Sequence, residues 1–233
     1  MGAHATPPEF AGRPGEYIDS LIREGLPEIA ARGLAHFADI FCEKGVFEIE
    51  DSRRYLLAAR ALGFELKLHA DEVVALGGAG LAAEVFATSA DHLLKASPRD
   101  LDAMAEAGVV ATCLPLTAFS LREPYADARG MIDRGLAVAL ASDLNPGSCY
   151  SQSIPMIFAL GTVAMGLSFE ETLTALTING AAALGLSNRI GTVEMGKRGD
   201  FLLLDAPKPE HLAYHFGMNL VTKVFIGGVQ VLG

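Results

Sequence analysis

The stretch FELKLHADE, residues 64–72, alternates strictly, with Phe64, Leu66 and Leu68 on one face of a strand and Glu65, Lys67 and His69 on the other. An apolar face suits a cover of helices, which leaves the polar face for the interior of a closed parallel sheet. His69 then sits at the C-terminal end of the strand, where barrel enzymes carry their chemistry. Glu72 follows in the adjoining loop.

The same unit repeats on both sides. Strand signals fall at HFADIFC (36–42), TSADHLL (88–94), VVATCLP (109–115) and AVALASD (137–143). Amphipathic segments lie between them: SRRYLLAARALG, GAGLAAEVFA, PRDLDAMAEAG and YADARGMIDRG, with EYIDSLIREGLPEIAARG ahead of the first. Gly63, Gly108 and Gly135 stand where helices should end, just before the next strand. Regular alternation of this kind predicts parallel strands with right-handed crossovers. The opening MGAH reads as the tail of one more strand. MGAHAT also fits the Gly2 myristoylation pattern, but no basic run follows to supply a second membrane signal. Five full strands and the end of a sixth fall short of the eight of a (β/α)8 barrel. Beyond residue 186 the pattern changes to GTVEMGKRGDFLLLD and TKVFIGGVQVLG, short strands with glycine turns. The expectation is an α/β chain: an incomplete (β/α)8, TIM-like barrel over residues 1–186 and part of a small β domain over 187–233.

Composition narrows the function. The 233 residues are 51% hydrophobic and carry a formal charge of −10, with no basic face for nucleic acid. No apolar run reaches the roughly 18–20 residues of a spanning helix, so no membrane partner is expected. Cys42, Cys113 and Cys149 are odd in number and widely spaced, which points to a reducing, cytoplasmic setting. Cys42 reads as a buried, inert thiol. GGAG (77–80) reads as a helix start and not a nucleotide loop, and the methionines of PMIFALGTVAMG (155–166) read as core.

Three strand ends carry groups suited to hydrolysis. His69 closes one, Asp91-His92 the next, and Asp143 the last, behind the small residues Ala137, Ala139 and Ala141. Asp143 could equally cap a following helix. The loop NPGS behind it is rich in backbone N–H groups able to hold an anion or a ring. Imidazoles and a carboxylate on one rim are the usual ligands of Zn²⁺ or Fe²⁺.

HADE, SADHL, ASDLNPGS, TINGAAALG and IGTVEMGKRGDFLLLD, in this order, resemble the amidohydrolase superfamily. Within it, GAH, FCEKGVF, LHADE, SADHLL, SDLNPGS and YHFGMN resemble the imidazolonepropionase family. The resemblance covers essentially the whole chain. It implies hydrolysis of 4-imidazolone-5-propanoate to N-formimidoyl-glutamate in histidine breakdown, with one Zn²⁺ or iron ion per site. Carried over by position, His69 and Asp143 match metal ligands. Glu72, His92 and Asp143 match catalytic positions, Glu72 as acid or base and His92 as the group polarising the carbonyl. His4, Glu72, Asn145, Gly147 and Ser148 match substrate contacts.

The early His-x-His pair of that family has no counterpart here, since no two of the six histidines are separated by one residue. The expectation that follows is weak metal binding and no turnover by this chain alone. Association with itself through open sheet edges, or a homodimer, is also expected. Two other readings stay open: a deaminase of the cytosine or guanine type, and a catalytically inactive fragment.

Overall fold

The computed structural model describes residues 2–233. Strand β1 (Phe37–Cys42) pairs in parallel with β2 (Glu65–Ala70), and β2 in parallel with β3 (Ser89–His92). With β4 (Val110–Cys113) and β5 (Val138–Leu140) they form a five-stranded sheet in the order β1-β2-β3-β4-β5. Each strand lies beside its neighbour in sequence, the order that successive right-handed βα crossovers generate. A separate antiparallel sheet holds β6 (Phe201–Leu204), β7 (Val221–Ile226) and β8 (Val229–Leu232).

Two compact units make up the chain, one of residues up to Ala111 together with Asp133–Ala137, the other of Thr112–Ile132 and Val138–Gly233. In the first unit, β1 and β2 alternate as their sequences predict. Ala38, Ile40, Cys42, Leu66, Leu68 and Ala70 are buried against helices, while Asp39, Lys67 and His69 share the opposite, half-buried face. The register sets Asp39 beside Lys67 and Phe41 beside His69. Lys67 Nζ donates to Ser89 Oγ at 2.7 Å and lies 5.0 Å over the Phe37 ring, and burial lowers its pKa. Helix Pro98–Ala107 starts at Ser97, whose hydroxyl accepts from the Asp100 N–H, and ends at Gly108, where φ is +71°. Gly63 and Gly135 are also left-handed, as helix-ending glycines should be.

In the second unit, helix Phe169–Leu176 opens on a Ser168/Glu171 capping box. Glu171 also accepts two hydrogen bonds from Arg129, at 2.6 and 2.7 Å. Asn179, within TINGAAALG, donates to the Val138 carbonyl at 2.8 Å and so ties helix Ile178–Ala183 to β5. Met165 is buried, whereas Met156 is only half-buried, so the expected methionine core holds for one of the pair.

Three expectations need correction. Gly2–His4 is a short 3-10 turn and not a strand tail, while the part of that expectation falling on Met1 lies outside the described residues. The single helix expected over 16–33 is Pro14–Ser20 and Leu26–Ala31 joined by a π turn at Leu21–Gly25. Pro27 is the reason: it has no N–H for the Arg23 carbonyl, and the helix widens ahead of it. Strand β5 stops at Leu140, so Asp143 does not continue the small-residue face. Asp143 does not cap a helix either, since the next one starts at Ile154 behind Ser153.

Candidate functional site

Five of the sequence-predicted groups lie at or just past strand ends, and the backbone there is unusual. Among the described residues, six other than glycine have positive φ: Asp71, Phe86, His92, Leu93, Arg122 and Asp143. Four of these are candidate site residues or their immediate neighbours. Left-handed backbone at residues with a Cβ costs about 1–3 kcal/mol each and persists where the surroundings impose it, typically at functional sites.

The first unit gathers four candidates. His69 closes the inner face of β2, and its ring centroid lies 4.6 Å from that of His4 and 5.3 Å from that of His92. His92 is 3% exposed, and its Nε2 stands 3.5 Å from Glu72 Oε2. The loop that presents Glu72 is held by two buried carboxylates. Asp71 accepts hydrogen bonds from the N–H groups of Leu76, Gly77, Gly78 and Ala79, and Glu43 accepts from Val73 and Lys44. Asp71 thereby takes up the orphan donors at the start of helix Gly78–Glu84, where GGAG was expected to open a helix.

Asp39 was missed by sequence reasoning. It lies on β1, on the same inward face as His69, and joins two of the predicted residues. Its Oδ2 lies 2.6 Å from His4 Nε2, and its Oδ1 lies 3.3 Å from His69 Nδ1. The side chains of His4, Asp39 and His69 are 19%, 24% and 19% exposed. Burial works against the Asp39 charge, but the neighbouring His4 and His69 outweigh it and hold the carboxyl well below the usual carboxylate range. The signal was present in FADIFC: an acid in mid-strand, alternating with the buried residues.

Donor atoms from His4, Asp39 and His69 lie within 4.8 Å of one another. Two imidazoles and a carboxylate, with Asp39 Oδ1 buried and taking no well-aligned hydrogen bond, fit a borderline divalent ion.

The second unit holds Asp143 and the NPGS loop. Thr117, another residue the sequence did not single out, donates to Asp143 Oδ2 at 2.6 Å. Asn145 Oδ1 accepts from the N–H groups of Gly147 and Ser148, both at 2.8 Å, and its Nδ2 donates to the Asp143 carbonyl and to Ser148 Oγ. The N–H groups expected to hold an anion are therefore turned onto Asn145, and the loop is a closed turn that fixes the Asp143 backbone.

Two cavities open in the first unit. One of about 420 Å³ is bordered by Gly45, Glu48, Asp51 and Leu76, and one of about 150 Å³ reaches Asp39 beside Tyr55 and Phe64. Burial pushes the Cys42 thiol up to about 11, as an inert core cysteine requires.

Residues 58–231 match the amidohydrolase family. The chain belongs to that family. Among its amidohydrolase relatives, imidazolonepropionase of Bacteroides thetaiotaomicron is 60% identical over 229 residues, 98% of this chain and 55% of its own length. Imidazolonepropionase of Clostridium tetani is 55% identical over 228 residues, 98% of this chain and 54% of its own. The chain thus spans about half the length of the curated relatives it matches.

Solved structures show the same fold. An adenosine deaminase from Xanthomonas campestris, solved with zinc, aligns with a TM-score of 0.72 at 20% identity, over 99% of this chain and 60% of its own. Ochratoxinase of A. niger aligns with a TM-score of 0.73 at 18% identity, over 93% and 55%. The five parallel strands are those of an amidohydrolase (β/α)8 barrel, short of the full eight. Among the described residues, no helix is long and apolar enough to cross a membrane.

Proposed function

We propose that the protein carrying this chain is an imidazolonepropionase of histidine breakdown, opening the ring of 4-imidazolone-5-propanoate to give N-formimidoyl-glutamate. The observation that carries the reading is the Glu72–His92 pair beside His69, which joins two segments, LHADE and SADHLL, that family likeness assigns to one reaction. His69 and Asp143 would hold one Zn²⁺ or iron ion. When bound, such an ion supplies hydrolytic chemistry near neutral pH by lowering the pKa of the water it holds.

The chain's own residues do the rest. Glu72 moves a proton to or from the ring nitrogen or the attacking water, a step worth roughly 10²–10⁴ in rate for a positioned group. His92 donates towards the carbonyl oxygen as negative charge develops there. Asp143 serves both as ligand and as a second proton carrier. His4, Asn145, Gly147 and Ser148 line the substrate, Asn145 chiefly by keeping its turn closed. We read residues 1–186 as the barrel part and 187–233 as the β part, and a cytoplasmic location fits three thiols outside any disulfide.

The test is a chimera in which these residues replace the 229-residue matched stretch of the Bacteroides thetaiotaomicron relative, followed by ultraviolet loss of the imidazolone. The chimera should turn over substrate and the isolated 233-residue chain should not, because the chain itself has no His-x-His pair. A folded chimera without turnover sinks the assignment, and ammonia as product would indicate a deaminase.

A second consequence concerns association. Strands β1 and β5 close the sheet order, and Ile40, Val138 and Leu140 on them are buried. Unpaired edges of a buried parallel sheet are templates for further strands. The isolated chain should therefore self-associate in light scattering, and a monodisperse monomer would refute this.

A further inference from the structure

We infer that Asp39 is the positioning residue of the site, its two carboxylate oxygens fixing His4 on one side and His69 on the other. The inference rests on the functional reading above and adds a residue which that reading leaves without a role. Metal-bound histidines commonly donate their second ring N–H to a carboxylate, which sets the tautomer and the ring's aim. His69 Nδ1 stands 3.3 Å from Asp39 Oδ1, and a proton on Nδ1 shared with that carboxylate leaves the lone pair on Nε2. His4 presents Nε2 to Asp39 Oδ2 at 2.6 Å, which leaves Nδ1 as its other ring nitrogen. The two rings then meet edge to face, with an interplanar angle of 71°.

One aspartate thus couples a ligand of the ion to a contact of the substrate. The coupling has a backbone basis. Gly2–His4 is a short turn with only Ala3 buried, so it holds its histidine less firmly than a strand would. Asp39, in the middle of a paired strand, is the rigid member, and in the β1–β2 register it sits one side-chain layer below His69. The other role open to Asp39 is that of a direct ligand, together with His4 and His69, and the two roles predict different results.

The experiment uses the whole 233-residue chain, uniformly ¹⁵N-labelled and free of metal, and reads histidine tautomers from long-range ¹H–¹⁵N correlations. In the native sequence His69 should be protonated at Nδ1. Asp39→Ala should move it mainly to the Nε2–H form, while Asp39→Asn, which keeps an oxygen for Nδ1–H, should leave it unchanged. Zn²⁺ titration against a chromophoric chelator gives the second readout. Asp39→Ala should weaken binding about 10–100-fold, Asp39→Asn by less than about 5-fold, and His4→Gln by less than about 3-fold.

Circular dichroism of each variant guards against misfolding, and the Asn and Gln variants carry the test if the Ala variant does not fold. A His69 tautomer that ignores Asp39→Ala overturns the inference. So does an equal loss of Zn²⁺ in Asp39→Asn, His4→Gln and Asp39→Ala, because all three residues would then be ligands. A native chain that binds no Zn²⁺ but shows the tautomer change leaves Asp39 as the positioning residue and removes the metal-dependent reading instead.

Discussion

Glu72→Gln, made in the chimera that restores the full length of a relative, should lower kcat by roughly 10²–10⁴ and leave metal content nearly unchanged. The change replaces one carboxylate oxygen with an amide of the same size, so packing survives and proton transfer does not. Two features of the loop justify expecting a clean loss. The loop carrying Glu72 is fixed by its neighbours: Asp71 holds four consecutive N–H groups, and Glu43 takes the N–H of Val73. The substituted side chain should therefore stay beside His92, where Glu72 Oε2 now lies 3.5 Å from Nε2. Pre-steady-state kinetics would place the loss in the chemical step. Near-normal turnover would mean that Glu72 does not move the proton, and Asp143 would inherit the role.

Much of the fold was legible in the sequence because it follows from short periodicities. FELKLHADE alternates, and β2 lies at Glu65–Ala70 with its apolar side chains buried as the alternation requires. Local chemistry was legible too: Gly63, Gly108 and Gly135 end helices with left-handed backbone. What escaped depended on contacts between segments. Nothing adjacent to Asp39 marks it as a partner of His4 and His69, since 35 residues separate it from His4. Thr117, in the helix after β4, looks like any helical threonine until its hydroxyl is found on Asp143. The NPGS loop suggested free N–H groups because glycine and proline make turns. It did not suggest that Asn145 would consume those groups, a choice made by side-chain geometry that composition does not encode. The π turn at Leu21–Gly25 was legible in principle from Pro27, and the amphipathic period hid it.

Asp143→Ala should behave differently from Glu72→Gln, losing metal and activity together. Asp143 stands three residues beyond β5 with φ at +50°, in a backbone position that aspartate tolerates better than most residues. Its Oδ2 accepts from Thr117 and its carbonyl accepts from Asn145 Nδ2, so both its side chain and its backbone are held from outside the strand. Such restraint at a strained position is what a ligand needs, because an ion rewards geometry fixed before it binds. On the proposed reading, removing the carboxylate deletes a ligand outright, whereas Thr117→Val deletes only its orienting hydrogen bond. The ordering expected from elemental analysis after gel filtration is therefore graded. Native chimera should retain about one ion per chain, Thr117→Val should bind about 10–100-fold more weakly, and Asp143→Ala should retain almost none. Activity should fall in the same order, and added metal should restore Thr117→Val but not Asp143→Ala. If Asp143→Ala keeps its ion while losing turnover, Asp143 is a proton carrier only, and the ligands must be sought around His69 in the first unit.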